Sequence, residues 1–308
     1  MINNGIITID TNFVRPMYVA SHLICQDGDA AFIDVGTSHN VTLLLEELER
    51  RDLDKGDVKY VFLTHVHLDH AGGAGKLIQN LPNAKVVVHP RGAKHMIHPK
   101  KLIASAEGVY GKQLFSQLYG NIESVPQEKI ILAQDEEQIT MQDRNFHLFY
   151  TEGHAKHHYC IYDELANAIF SGDSFGMSFR EFDTDKGEFI IPITSPTQFD
   201  PDEAHKAIDK IISYQPEVIY LAHYSKVDET ERLADDLHLS INKFVNIALK
   251  HEQDQKRAET IKLSIEHYIL NKLSEHNYRA TADEAKKYLS ADIYVNALGL
   301  DFWLTQKN

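Results

Sequence analysis

The segment Thr64-His65-Val66-His67-Leu68-Asp69-His70-Ala71-Gly72-Gly73 constrains this 308-residue chain more than any other. It follows an apolar run, Tyr60 to Leu63, and precedes a helix-like segment, Ala74 to Leu81. Three imidazoles and a carboxylate therefore gather within six positions at a strand end. In extended chain, residues two apart share a side, so His65 and His67 can grip one ion. The turn that follows aims Asp69 and His70 elsewhere, toward a second ion. Gly72 and Gly73 relax the backbone where the loop enters the helix. A lone histidine would be read as part of a polar surface loop. Four ligand-type side chains at H-x-H-x-D-H spacing point to a metal centre instead.

THVHLDHAGG resembles the signature of the metallo-β-lactamase-fold hydrolases, and the resemblance runs over roughly residues 5–227. It implies a four-layer αββα sandwich, an α/β architecture with two mixed sheets between helical layers and metals at one edge. It also implies three further ligands on later strand ends. The candidates are His154 in Thr151-Glu152-Gly153-His154, Asp173 in Ser171-Gly172-Asp173-Ser174, and His223 in Leu221-Ala222-His223-Tyr224. By the resemblance, His65, His67 and His154 hold a first metal, Asp69, His70 and His223 a second, and Asp173 bridges both. Asp69 and Asp173 are then the catalytic carboxylates. Cysteine-free, nitrogen-rich ligation suits two divalent ions, zinc foremost, with iron and manganese acceptable to the same donors. A water shared by two cations loses a proton near neutral pH and becomes a nucleophile.

The expected activity is hydrolysis of a small thioester or other ester by a dinuclear centre. A lactonase or phosphodiesterase could use the same site. Two readings from other classes stand beside it. One is a mononuclear iron enzyme of the persulfide-dioxygenase type, and the other is a regulatory or binding protein acting through its C-terminal helices. The formal charge of −14 repels polyanions, so a nucleic-acid partner is not expected. Cys25 and Cys160 show neither metal spacing nor a disulfide framework. The start Met1-Ile2-Asn3-Asn4-Gly5 lacks the pattern of a signal peptide, and no apolar run is of membrane-spanning length. A cytoplasmic protein acting on a small molecule, without a membrane partner, is the expectation.

Along the chain, Tyr18 to Ile24 and Ala30 to Val35 read as strands joined at Asp27-Gly28-Asp29. Asn40 is placed to cap a helix from Val41 to Arg51. Asp34, followed by Val35-Gly36, is either a turn former or, by the resemblance, a support for the metal loop. Residues 90–120 look helical from Pro90 onward; His89, His95 and His98 there match no second motif. His157 and His158 begin a strand and so should point to opposite faces, one reaching the site as a support and the other solvated or packed in the core. Residues 174–200 hold Phe175, Phe179, Phe182, Phe189 and Phe199, which read either as core or as a pocket wall beside the metals. In the second case Phe175, Phe179, Arg180 and Tyr224 are the candidate substrate contacts. Arg180 would anchor an anionic group unless Glu181 and Asp183 neutralise it. From Asp228 the chain turns helical and charged, which divides it into a catalytic domain, 1–227, and a helical subdomain, 228–308. Glu229–His251, Ala258–Glu275, Thr281–Leu289 and Asp292–Trp303 read as four helices that either cap the site or form a homodimer.

Overall fold

The computed structural model describes residues 4–194 and 197–307. Met1–Asn3 of the N-terminal segment, and Ser195 and Pro196 of the phenylalanine-rich stretch, lie outside the described residues. The first sheet contains β1 (Ile6–Asp10), β2 (Ala20–Gln26), β3 (Asp29–Ile33), β4 (Val58–Leu63), β5 (Lys85–Val88) and β6 (Ile130–Leu132), adjacent in that order. Asp27 and Gly28 both take left-handed φ, +48° and +85°, and close the β2–β3 hairpin. From β3 onward the pairing is parallel, which requires crossovers. These are α1 (Val41–Arg50), then α2 (Leu68–Ala71) with α3 (Ala74–Ile78), then α4 (Pro90–Ile97), α5 (Lys100–Tyr110) and α6 (Lys112–Tyr119).

The second sheet runs β12-β11-β10-β9-β8-β7. Its strands are β7 (Glu137–Met141), β8 (Arg144–Tyr150), β9 (Tyr159–Asp163), β10 (Ala168–Met177), β11 (Val218–His223) and β12 (Ser225–Val227). Only β10 and β11 pair in parallel, joined through α7 (Pro201–Ser213). Alternation within the strands sorts side chains into layers. Ala31 and Ile33 of β3 meet Phe146 and Leu148 of β8 between the sheets. Ala30 and Phe32 face outward onto the layer holding Val41, Leu44 and Leu77. Phe149 and Ile169 face outward on the other side, toward α7 and the C-terminal helices. Two sheets between two helical layers is the architecture the sequence implied.

Two expectations change, and a third point that was left open is decided. Asn40 stands before α1, but its side chain does not cap it. Its Oδ1 accepts from the Thr37 N–H and hydroxyl at 2.7 and 2.9 Å, and its Nδ2 donates to the Thr11 carbonyl at 2.6 Å. The C-terminal region forms three helices rather than four: α8 (Thr230–Lys250), α9 (Arg257–Glu275) and α10 (Ala282–Gln306). No proline or glycine separates Leu289 from Asp292, and Ser290 back-bonds to the Lys286 carbonyl, so the helix continues. Thr281 and Glu284 form a reciprocal capping box at its start. Finally, the five phenylalanines of the 174–200 stretch are core residues, 0–7% exposed. They share one hydrophobic cluster with Leu237, Phe244, Ile265, Leu289 and Leu300 of the three helices.

The helices therefore have no core separate from that of the second sheet. Burial of apolar surface is worth about 25 cal/mol per Å², so the two parts stabilise each other. Truncation after Val227 should leave Phe175, Met177 and Leu221 facing water and give an aggregating, poorly folded protein. A monodisperse truncate with an unchanged melting temperature in size-exclusion and thermal-melt experiments would contradict this.

Candidate metal centre

Six of the seven predicted ligand residues lie near an element's end or in the turn that follows it, whereas Asp173, expected at a strand end, lies inside β10. Strand β4 stops at Leu63, and Thr64-His65-Val66-His67 leads into the single turn of α2, which carries Asp69 and His70. That helical turn is what separates the two ligand pairs. His154 sits in the turn between β8 and β9, Asp173 within β10, and His223 at the end of β11. The β10–β11 register shifts between Phe170 and Gly172 and again before Met177, which brings Asp173 into an irregular part of the ladder.

The donor atoms fall into two groups. His65 Nε2 and His154 Nε2 lie 3.0 and 3.1 Å from His67 Nδ1. Asp173 Oδ2 lies 3.6 Å from His65 Nε2 and 3.3 Å from His154 Nε2. In the second group, His70 Nε2 is 3.4 Å and His223 Nε2 3.7 Å from Asp69 Oδ2. The other Asp173 oxygen, Oδ1, is 3.5 Å from His70 Nε2 and 3.6 Å from His223 Nε2. Asp173 thus offers one oxygen to each group. Donors bound tetrahedrally at about 2.0–2.1 Å from a zinc ion stand about 3.3–3.4 Å apart, close to these spacings. His70 Nε2 and Asp173 Oδ1 are buried and have no hydrogen-bond partner among the described residues. Orphaned atoms of this kind fit a cation between them.

The far sides of the rings are fixed. Asp34, in a left-handed conformation at φ +52°, accepts from the Thr64 N–H and hydroxyl at 2.9 and 2.8 Å and lies 3.3 Å from His70 Nδ1. Thr64 Oγ1 is 3.2 Å from His65 Nδ1. His223 Nδ1 is 3.0 Å from the Tyr18 carbonyl and, facing an acceptor, carries the ring proton. Both readings of Asp34 hold together: it is at once a strained turn residue and the support of the metal loop.

Burial and crowding set the charges. Burial, reinforced by neighbouring imidazoles, holds His65 and His154 well below the ordinary histidine range. Burial likewise lowers His67 and His223 to about 4. Burial also opposes a charge on His70, but Asp69, Asp173 and Asp34 outweigh it and hold that ring well above the ordinary range. Asp69 is lowered: His70, His223 and His67 overcome its burial. Burial pushes Asp173 up to about 7 against the pull of His70.

The remaining candidates are placed differently. Phe175 and Phe179 are 0 and 1% exposed, and their rings pack into the core. The Arg180 guanidinium is 3.4 Å from Asp183 and donates to the Ser178 and Lys226 carbonyls, so the neutralisation left open by the sequence takes place. Tyr224 is partly buried against the same core. His89 caps α4 by accepting from the Arg91 N–H, and His98 is exposed.

His157 and His158 do not alternate, because β9 starts only at Tyr159; both are buried. The His157 ring lies 5.6 Å from that of His67. His158 Nε2 accepts from the Asp173 N–H at 3.1 Å, so its proton is on Nδ1, beside Thr151 Oγ1 at 2.8 Å and Ser174 Oγ at 3.1 Å. This tautomer cannot take the Ser174 proton, which removes a serine–histidine nucleophile. The Cys160 thiol, pushed up to about 12 by burial, is equally inert. The expectation that one of His157 and His158 supports the site is met by His158, while sequence reasoning missed Tyr18 and the carboxylate of Asp292 behind it. No local motif marks either of these two.

Gly172 shows how tightly Asp173 is held. Its φ is +49°, and an added Cβ would lie 2.4 Å from His158 Nε2 and 2.7 Å from Thr64 Oγ1. Gly172→Ala should cost about 1–3 kcal/mol of stability. An unchanged melting temperature would show that this corner can relax.

Among known proteins, the family model for the metallo-beta-lactamase superfamily matches residues 14–223. The metallo-beta-lactamase fold-containing protein ST1585 of Sulfurisphaera tokodaii is 30% identical over 212 residues, covering 68% of this chain and 73% of that protein. A crystal structure of ST1585 superposes with a TM-score of 0.66 at 24% identity, covering 96% of this chain and 98% of that one. The probable metallo-hydrolase MJ0888 of Methanocaldococcus jannaschii is 28% identical over 51% of this chain and 68% of its own length. A hydroxyacylglutathione hydrolase of Buchnera aphidicola is 26% identical over 49% of this chain and 45% of its own length. The chain belongs to the metallo-beta-lactamase superfamily and is a metal-dependent hydrolase.

Proposed function

We propose that the protein hydrolyses a small thioester or related ester at a pair of divalent cations, most simply zinc. His65, His67, His154 and Asp173 Oδ2 would hold one cation, and Asp69, His70, His223 and Asp173 Oδ1 the other. The observation that carries this reading is the division of the Asp173 carboxylate between two sets of donors. Partial similarity to a hydroxyacylglutathione hydrolase favours a thioester among the esters.

Cations in this place supply Lewis acidity, which activates water near neutral pH and polarises a carbonyl. The protein's own residues do the rest. Asp34, Thr64 and the Tyr18 carbonyl keep Nε2 of His70, His65 and His223 directed at the carboxylates. His158 holds the backbone of Asp173. Asp69, whose side chain is 22% exposed against 4% for Asp173, is the carboxylate open to solvent. A panel of thioester, lactone and phosphodiester substrates, tested on zinc-, iron- and manganese-loaded protein, tests the assignment. Turnover of the phosphodiester alone would sink it.

Asp173→Asn should keep the fold while lowering ester hydrolysis by about 100-fold or more, because an amide carries no charge to share. Full activity at unchanged metal content would rule out the two-cation arrangement.

Metal uptake should also depend on pH. Asp173 sits near 7 and His70 higher, and both must be unprotonated to hold a cation. Affinity should therefore fall as pH drops through 7, and binding at pH 7 should release protons. Calorimetric titration in two buffers of different ionisation heat measures that release. A heat independent of buffer would contradict the assignment.

A further inference from the structure

The C-terminal helix α10 reaches the metal centre through one tyrosine. The Tyr18 hydroxyl donates to Asp292 Oδ1 at 2.6 Å, while the carbonyl of the same residue accepts from His223 Nδ1 at 3.0 Å. The Tyr18 ring stands edge-on to the His223 imidazole, with centroids 5.4 Å apart. Asp292 is 6% exposed, and its second oxygen has no hydrogen-bond partner among the described residues. A carboxylate so buried is tolerated only where it is hydrogen-bonded, and the Tyr18 hydroxyl is its side-chain donor.

The loop that carries Tyr18 does not hold its own shape. Asn12, Val14 and Met17 take φ of +53°, +61° and +52°, a region that L residues avoid and β-branched valine avoids most. Val14 is exposed and gains nothing from burial in return. Tertiary contacts must fix this segment. The Asp10 carboxylate accepts from the Asn12 and Met17 N–H groups, both at 2.9 Å. Arg15 pairs with Glu181 at 2.7 Å and lies over the rings of Tyr18, Phe179 and Tyr288. Tyr18 stacks on Phe179 at 5.3 Å and bonds to Asp292. Two of these anchors, Tyr288 and Asp292, belong to α10.

We propose that Asp292 and Tyr18 are positioning residues for His223: their hydrogen bond fixes the carbonyl that orients the ring, making α10 a working part of the metal centre. This rests on the reading of His223 as a metal ligand. The brace needs an acceptor at position 292 rather than a charge, since the phenol donates to either a carboxylate or an amide.

Tyr18→Phe removes the donor, Asp292→Leu the acceptor, and Asp292→Asn keeps an acceptor. Chelator-competition titrations should show the cation held by Asp69, His70 and His223 released at least tenfold more readily from Tyr18→Phe and Asp292→Leu. The other cation should change less than twofold, and Asp292→Asn should match the wild type. In metal-free protein, NMR of labelled histidine should show the His223 Nδ1 proton exchanging at least tenfold faster in the two disruptive variants, but not in Asp292→Asn. Unchanged exchange and affinity in Tyr18→Phe would overturn the proposal, as would equal losses in Asp292→Asn and Asp292→Leu. If Asp292→Leu does not fold, the Tyr18→Phe and Asp292→Asn results decide. If the wild type takes up only one cation, the dinuclear reading falls, and the proton-exchange measurement still decides the brace.

Discussion

The Asp34 carboxylate is the interaction on which the rest of the site depends. It stands 2% exposed just past the end of β3, and an ionised group there is stable only if donors surround it. Thr64 supplies two donors from the end of β4, its N–H to Oδ1 and its hydroxyl to Oδ2, and His70 faces Oδ2 from α2. Backbone bonds repeat the linkage: Val35 N–H to the His70 carbonyl at 2.8 Å, and Gly73 N–H to the Gly36 carbonyl at 2.9 Å. Two neighbouring strand ends and the histidine loop are thereby locked in one geometry. The parallel β3–β4 pairing puts those ends side by side, and the side-chain contacts turn that proximity into ring orientations.

The second sheet meets this frame with ligands of its own. Tyr159, at the start of β9, donates its N–H to the Thr64 carbonyl at 2.9 Å, joining the two sheets beside the centre. Behind that contact, His158 holds the Asp173 backbone. The result is a buried set of imidazoles, most of them neutral, around two carboxylates of opposite tendency. Asp69 is strongly acidic because imidazoles surround it, and Asp173 is weakly acidic because burial prevails. Such a site is poorly satisfied by its own groups, which is the condition under which a cation binds strongly.

Much of this was legible in the sequence because it was local or periodic. The alternation in β3 and β8 and the run of ligands from His65 to His70 need only the period of a strand and the reach of one helical turn. His154, Asp173 and His223 were found by family resemblance, since spacing alone could not join positions so far apart. The phenylalanine-rich stretch was ambiguous because a pocket wall and a core have the same composition. What decided it was the packing of α8 to α10, which the sequence does not display. Tyr18 and Asp292 were invisible for a related reason: they act through tertiary hydrogen bonds between distant segments, which leave no pattern.

The bond between Tyr18 and Asp292 spans 274 positions of the chain. Its partners are therefore made at opposite ends of synthesis. All seven ligand residues have been joined once His223 is added, but α10 still has to follow. A nascent chain could thus present every donor while the His223 ring still lacks its brace. Contacts of such long range also form late, because closing a large loop costs entropy before the contact can repay it. The His223 ring would then reach its mature order only after the last helix docks.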